Sequence, residues 1–392
     1  MPHAPDARNR TTGVYRTSTT AGESVQAFVP HPLPPRDPEL QITEVIERLH
    51  AEALTALARL EVAGRMVPST GWFLYGFVRK EAVVSSQIEG TQATLREVVT
   101  FEATEEALRP HDVEEVCNYV DAIKFARAQL ADPKGLPIST RLLCETHRRL
   151  MKGVRGADKA PGQVRRSQNW IGGSRPGNAR FVPPPPEEVA DAMTRLEQWL
   201  HSEDPLPPLI KSGLAHVQFE TIHPFLDGNG RIGRLLIALL LEHWKLLPSP
   251  LLYLSLAFKR RQREYYDRLS AVRTAGDWEG WTEFYLQCVR DAADDGVAVA
   301  GGLFELLGRD RKRLAGHKRS TVAAMQLLDL LPDHPVVTAA RVAKLLKITA
   351  PTARKALEVA ADAGILREAS GKQRDRVFAY HKYLEILTGG EA

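Results

Sequence analysis

The chain has 392 residues, with 52 Lys and Arg against 48 Asp and Glu and a net charge of +4. That length holds two or three domains with sizeable cores. Its three isolated cysteines, Cys117, Cys144 and Cys288, show no Cys-x-x-Cys spacing and argue against a disulfide framework. No apolar run approaches the roughly 18 residues needed to span a bilayer, so a cytoplasmic protein in a reducing compartment, with no membrane partner, is expected.

Residues 1–37 are rich in Pro, Arg, Thr and Ser, lack the apolar core of a signal peptide, and read as a flexible Pro-rich tail. From residue 38 the pattern is helical. Residues 40–62 repeat apolar positions at spacings of three and four (Ile42, Val45, Ile46, Leu49, Leu54, Leu57, Leu60), the stripe of an amphipathic helix. Further helices are predicted over 72–88, with Gly90 as a stop signal, over 113–130, and over 139–151, where Ser139 is the cap. Residues 167–186 then read as a hairpin. Ile171, Gly172 and Gly173 lead into its tip, Phe181 and Val182 return, and the prolines that follow end it. Helices over 187–201 and 208–221 run up to His223. Strand signals are confined to this hairpin and the far C-terminal region, so the class is mainly α.

Residues 223–234 read His-Pro-Phe-Leu-Asp-Gly-Asn-Gly-Arg-Ile-Gly-Arg. Gly228 and Gly230 can bring backbone N–H groups close to an anion, and Asn229 between them tolerates left-handed dihedrals. An apolar run starts at Leu235, which places this nest at a helix N-terminus whose dipole favours the same anion. Arg231 and Arg234, three apart, can both turn toward an oligophosphate. The segment is not a Walker loop, since no lysine lies in it. His223 can take a proton from a hydroxyl, and Asp227 offers the hard oxygen ligands that phosphate-bound magnesium prefers. A solvated surface loop is the bland alternative; five functional residue types in twelve positions weigh against it.

This dodecapeptide resembles the signature of the Fic proteins, His-Pro-Phe-x-[Asp/Glu]-Gly-Asn-Gly-Arg-x-x-Arg, at every specified position. Most of that family move AMP from ATP to a hydroxyl side chain of a protein and release pyrophosphate. The resemblance implies a Fic-type helical core with a β-hairpin flap. His223 would be the general base and Asp227 the magnesium ligand. Gly228, Asn229 and Gly230 would form the anion hole, and Arg231, Gly233 and Arg234 the rest of the phosphate site, with Phe225 a buried anchor. The hairpin at Ile171, Gly172 and Gly173 is similar to the flap with which Fic proteins hold an extended target segment. Ser85-Ser86-Gln87-Ile88-Glu89-Gly90 fits the family's inhibitory pattern [Ser/Thr]-x-x-x-Glu-[Gly/Asn], in which Glu89 would pair with Arg234 and keep ATP from its productive pose. Tyr265 is suggested near adenine, although a Tyr pair on a helix is as readily core. ATP and Mg2+ are the implied cofactors and a protein target the implied partner; self-modification and a homodimer stay open.

The domain order on this reading is a helical region carrying the inhibitory helix over 38–130, a catalytic core over 131–300, a linker over 301–317 and a separate domain over 318–392. In the last, helices over 320–331, 338–346 and 350–363 precede short strands over 365–368 and 376–380, the plan of a winged helix-turn-helix. Residues 318–385 hold twelve Lys or Arg and seven Asp or Glu, a net of +5 that leaves the remainder near neutral. Thr349, Thr352, Arg354 and Lys355 would open a recognition helix and Lys372, Arg374 and Arg376 the wing, which makes DNA a candidate partner. An interaction module with a solvated basic face is the alternative. The function classes left open are a protein adenylyltransferase, a Fic enzyme that transfers another nucleotide-derived group or removes AMP, and a DNA-binding regulator with a nucleotide-sensing Fic domain.

Overall fold

The computed structural model describes residues 10–66, 70–104, 110–370 and 375–389, with the backbone alone at 66 and 70–74. Positions 1–9 of the expected tail, and Lys372 and Arg374 of the expected wing, lie outside the described residues. In chain order, strands β1 (Gly13–Thr20) and β2 (Glu23–Pro30) are followed by helices α1 (Glu44–Met66), α2 (Thr70–Ile88), α3 (Leu95–Thr104), α4 (Pro110–Ala131) and α5 (Thr140–Leu150). Helices α6 (Pro186–His201), α7 (Pro208–Ile222), α8 (Asn229–His243), α9 (Leu254–Arg260), α10 (Gln262–Ala275) and α11 (Trp278–Ala315) come next. The C-terminal part holds α12 (Val322–Leu330), β3 (Val336–Thr338), α13 (Ala339–Leu346), α14 (Ala350–Asp362), β4 (Arg367–Glu368), β5 (Val377–Ala379) and α15 (His381–Thr388). Among the described residues no helix is long and apolar enough to cross a membrane.

The chain divides into two compact units, the first made of Met1–Leu57, Asn118–Pro248 and Leu254–Ala292. Its centre is α7, where every side chain from Leu209 to Ile222 is buried. The sequence explains this. Pro207 and Pro208 open the helix without wasting an N–H, apolar residues from Leu209 to Ile222 are spread round every face between the polar ones, and Pro224 forbids its continuation. Two polar contacts tie α7 to α11 inside: Ser212 Oγ lies 2.6 Å from Tyr285 Oη, and the Trp281 indole N–H donates to Gly213 O at 3.0 Å. Helix α8 packs on α7 and α5. Helix α5 starts as the sequence predicts, with Ser139 Oγ accepting from Leu142 N–H.

Two expectations are corrected here. Residues 13–30 are not a tail; β1 and β2 pair in register from Gly13↔Pro30 to Thr20↔Glu23. The two-residue turn between them has positive φ at Ala21 (50°) and Gly22 (80°), the hairpin turn whose twist suits the flanking strands. Thr- and Ser-rich composition suggested a tail, but Val and Thr at alternating positions also fit a pleated, half-buried ribbon. Residues 301–315, expected as linker, continue α11 as helix. Leu303, Leu306 and Leu314 are buried on it, a helical period that the Gly301-Gly302 pair obscured.

The second unit, Ala58–Cys117, Ser249–Tyr253 and Ala293–Ala392, joins α2 and α3 to the C-terminal elements. Helices α12, α13 and α14 pack together, and β3, β5 and β4 form an antiparallel sheet in that order. Each of these three helices opens on a threonine cap, at Thr321, Thr338 and Thr349. The Arg79 guanidinium holds Glu102 of α3 through both carboxylate oxygens, at 2.7 and 3.0 Å, and Arg341 of α13 bonds the Glu102 carbonyl. The Tyr380 hydroxyl donates to buried Asp310 at 2.8 Å.

Arg10 ties the N-terminal segment into the first unit. Buried, it donates to the carbonyls of Gly276, Pro38 and Glu39 and forks onto Glu279 at 2.9 Å twice. Burial by itself would raise the Glu279 carboxyl; the bonds from Arg10 and from Gln41 N–H overcome it and hold the pKa below the ordinary 4.5. Arg10→Ala should cost about 2–3 kcal/mol, the usual penalty for removing one side of a buried charge-assisted cluster, discounted for the partial exposure of Glu279. Urea unfolding checks this at neutral pH. A depressed carboxylate pKa stabilises fully above its unfolded value and loses that contribution as pH falls through the folded one, so the deficit should shrink on acidification.

Candidate active site

The loop from His223 to Gly228 joins α7 to α8, and its conformation is set by a few side chains. His223 caps α7 in the left-handed region (φ 51°, ψ 61°), and its N–H donates to Phe219 O at 2.9 Å. A non-glycine residue there costs of order 1–3 kcal/mol and persists only where the surroundings fix it. They do so here. The Arg165 guanidinium donates to His223 O (2.9 Å) and Pro184 O (2.5 Å), while Arg165 N–H donates to Pro224 O at 2.9 Å. Burial lowers the Arg165 pKa to about 10, which leaves it charged at neutral pH.

Asn229 closes the loop from the other side. Its Oδ1 accepts from Phe225 N–H and its Nδ2 donates to Phe225 O, both at 2.8 Å. The Asn169 amide adds a second donor to Phe225 O at 3.1 Å. Phe225 is buried as expected, stacked on the His147 ring with centroids 3.9 Å apart and planes 3° from parallel. His147 reads as a neutral imidazole of defined tautomer. Gly162 N–H donates to its Nδ1 at 2.8 Å, so the proton sits on Nε2, which donates to Asp227 O at 2.9 Å. Burial pulls its pKa down to about 4.

Gly228 is the N-cap of α8 in the left-handed conformation (φ 77°), and a Cβ there would lie 2.9 Å from Met151 Sδ. Only glycine fits. The first N–H groups of α8, which follow at Asn229, Gly230 and Arg231, have no intrahelical acceptors, and a helix N-terminus of this kind suits an anion. Asp227 Oδ1 accepts from Gly228 N–H at 2.6 Å and lies 3.9 Å from the Arg231 guanidinium, with its side chain 42% exposed. Arg231 and Arg234 are 1% and 4% exposed. Gly233 faces α7, where a Cβ would come within 2.2 Å of Glu220 Oε1, so its role is close helix packing. The His223 ring turns Nδ1 to Glu220 O at 3.3 Å; a neutral ring donating there carries its lone pair on Nε2.

The flap takes the expected form in part. Ile171 and Phe181 make an antiparallel bridge, with bonds of 2.8 and 3.2 Å, and the tip turns through Gly172 and Gly173, both at positive φ. Tyr265 differs from its expected place. It is 1% exposed, its hydroxyl lies 2.8 Å from His216 Nε2, and its ring stacks on Phe258 at 4.6 Å. That is a core position with no face left for a base, whereas the adjacent Tyr266 is 45% exposed. Burial holds His216 near a pKa of about 3, hence neutral. In the second unit, Ser85 is buried inside α2, and Glu89 is exposed one residue past the helix end, where Gly90 takes φ 95°.

Among these residues His147, Arg165 and Met151 escape a reading of the sequence. His147 lies in Thr-His-Arg-Arg-Leu on an amphipathic helix, where a histidine among arginines looks solvated; only its inward register at Leu143 and Leu150 hints otherwise.

Residues 47–128 match the Fic/DOC family N-terminal domain and residues 137–241 the Fic/DOC family domain. The chain is 29% identical over 248 residues to a protein adenylyltransferase Fic of Drosophila grimshawi, across 62% of this chain and 46% of that protein. It is 31% identical over 212 residues to a protein of the same name from Drosophila willistoni, across 53% and 39%. The chain thus spans less than half the length of these relatives. Its fold is similar to the crystal structure of a Fic family protein from Desulfovibrio desulfuricans G20, with a TM-score of 0.57 and 23% identity, over 87% of this chain and 97% of that one. The segment 223–234, all of α7 and α8 up to Leu241 fall inside the second matched stretch, and the chain belongs to the Fic/DOC family.

Proposed function

We propose that the chain is a protein adenylyltransferase that moves AMP from ATP to a Ser, Thr or Tyr hydroxyl of a protein. The observation that carries this is the braced loop itself. One short segment offers an imidazole at a helix C-terminus, a half-exposed carboxylate, and the N-terminus of the next helix with two buried arginines behind it. In the proposed reaction the acceptor hydroxyl gives its proton to His223 Nε2, and its oxygen bonds to the α-phosphorus. The bond from that phosphorus to the β-phosphate oxygen breaks, and pyrophosphate leaves. The N–H groups opening α8, with Arg231 and Arg234, receive the negative charge that develops on the leaving group. Tyr266 replaces Tyr265 as the residue with an exposed ring for a base.

Magnesium fits the donor set in a limited way. Among the described residues no group of three or more His, Cys, Asp and Glu side chains is gathered as a protein-only metal cage. One carboxylate completed by substrate phosphates and water is the usual arrangement for this ion, and Asp227 is open enough to supply it. Bound there, magnesium would screen charge on the phosphate oxygens.

His223→Ala should lower transfer of label from α-phosphate-labelled ATP by about 10^2–10^4-fold, with ATP binding by calorimetry nearly unchanged, because other residues hold the phosphates. Asp227→Ala should flatten the magnesium dependence of the same assay. Near-normal transfer in His223→Ala would remove the assigned base. A nucleotide panel read by mass spectrometry separates AMP transfer from transfer of another group and from AMP removal.

Glu89 is proposed as an inhibitory carboxylate that engages Arg234. An arginine so engaged cannot also grip a terminal phosphate, and misplacing the α-phosphorus costs on the order of 100-fold in rate, against about 0–1 kcal/mol of folding stability for an exposed ion pair. Glu89→Gly should therefore raise transfer, including self-modification, and Arg234→Ala should cancel the gain. A folded Glu89→Gly protein that is no faster would reduce residues 85–90 to a helix end.

For residues 318–389 a winged helix-turn-helix that contacts duplex DNA is favoured by one observation. The opening of α14 presents Thr349, Thr352, Arg354 and Lys355 outward while Ala353, Ala356 and Leu357 face the interior. Arg376 is less available, at 3.6 Å from Glu358 and 3.7 Å from Glu368. Arg354→Ala should weaken duplex binding and reduce the slope of log affinity against log salt by about 1. Fluorescence anisotropy across a salt series reads both quantities, and a chain that binds no duplex at low salt leaves α14 as a protein-contact face.

A further inference from the structure

The β1–β2 hairpin plays no part in the loop chemistry, yet it lies against the flap along its length. Phe28 N–H donates to Val182 O at 2.9 Å, and the Phe28 and Phe181 rings sit 6.4 Å apart. Val25, Ala27 and Val182 form one buried cluster flanked by Trp170 and Ala179. At the flap tip Glu23 Oε2 accepts from Gly177 N–H at 3.1 Å and from the Arg175 guanidinium at 2.5 Å. The other end of the hairpin is tied to the helices that build the site. Gln218 of α7 donates to His31 O at 2.9 Å, Thr12 Oγ1 donates to Val272 O of α10 at 3.0 Å, and the Arg273 guanidinium of α10 covers the Phe181 ring at 4.1 Å.

We infer that the hairpin is a bracket that fixes the flap relative to α7, and that Glu23 is the positioning residue that latches the tip. The extended segments run β1, β2, Phe181–Val182, Ile171, which leaves two outer edges, that of β1 and the one at Ile171, 36% exposed; the second lies two residues from Asn169, which bonds Phe225 of the loop. An extended segment of the acceptor protein adds to that edge by main-chain pairing. A two-residue bridge alone is too short to hold an edge still, because isolated hairpins are marginal in water. Backed by β2 and latched at Glu23, the edge stays at a fixed distance from the C-terminus of α7, and with it the acceptor hydroxyl from His223. This rests on the adenylyl-transfer reading.

The test compares Glu23→Ala, Glu23→Gln and Phe28→Leu with the wild-type chain, using full-length protein carrying His223→Ala as the acceptor in trans and α-phosphate-labelled ATP as donor. Hydrogen exchange at the amides of Ile171, Arg180 and Phe181 is followed in parallel, and it reports on the bracket whether or not transfer occurs. In Glu23→Ala these amides should exchange about three- to tenfold faster, the range for losing a partly exposed charge-assisted bond, while the amides of α7 and α8 keep their protection. Half-saturation for the acceptor should rise by a similar factor with that for ATP unchanged, and Glu23→Gln, which keeps an acceptor oxygen, should recover most of both. Unchanged exchange at Ile171 and Phe181 in both Glu23→Ala and Phe28→Leu overturns the bracket. Faster exchange with unaltered acceptor half-saturation overturns its role in acceptor binding. A chain that transfers no label even when it carries Glu89→Gly overturns the adenylyl-transfer reading and the acceptor role with it, and the exchange data still decide the bracket.

Discussion

The bond pair between Asn229 and Phe225 is the constraint on which the site depends. A six-residue link between two buried helices carries backbone groups that water cannot reach, and each needs a partner. Asn229 answers with a side chain that mimics a peptide group, accepting from Phe225 N–H and donating to Phe225 O. With Phe225 held, its ring stacks on His147, and His147 holds the Asp227 carbonyl. Asp227 and Gly228 then have one place to go, which fixes the start of α8.

The same chain of contacts sets the electrostatics. Two histidines, His147 and His216, lie close to Arg231 and Arg234, and a proton on either would repel an arginine already taken out of water. Burial keeps both neutral, and the Arg231 and Arg234 charges push in the same direction. Positive charge at the α8 end of the loop is therefore that of Arg231 and Arg234, while Arg165 carries its own at the α7 end. Placement matters because dipole and arginine charge act at short range, and burial protects them from salt screening.

How much of this could be read from the sequence follows from how local each signal is. The loop, its glycines and the helix after it were legible, because nest, cap and apolar run are contiguous in 223–241. So were most helices, whose apolar period reports their own buried face. The β1–β2 hairpin was not, since its turn is Ala-Gly rather than Asn-Gly and its strands are rich in Thr and Ser. Arg165 carries no local mark: it clamps His223 from 58 positions away, and an arginine pair after Val164 looks solvated. Tyr265 was ambiguous for the opposite reason. A tyrosine offers the same apolar body to a base or to a core, and the partner that decides, His216, sits 49 positions earlier.

A division of labour follows for the first unit. The parts that suit a nucleotide's phosphates are helical, buried and braced on several sides, so their geometry is settled before any ligand arrives. The part that would meet an acceptor is thin and exposed, an edge of two bridged residues whose placement is borrowed from β2. Phosphates are the same in every cycle, and preorganised donors serve them best because no reorganisation is needed as charge develops. A protein acceptor presents a backbone common to all chains and side chains that differ, and main-chain pairing at an edge reads the first without demanding the second. On the reading proposed, chemistry is fixed by the core around α7 and α8, and selection among acceptors falls to what surrounds the edge: Trp170, the tip at 174–178, and the hairpin that holds them.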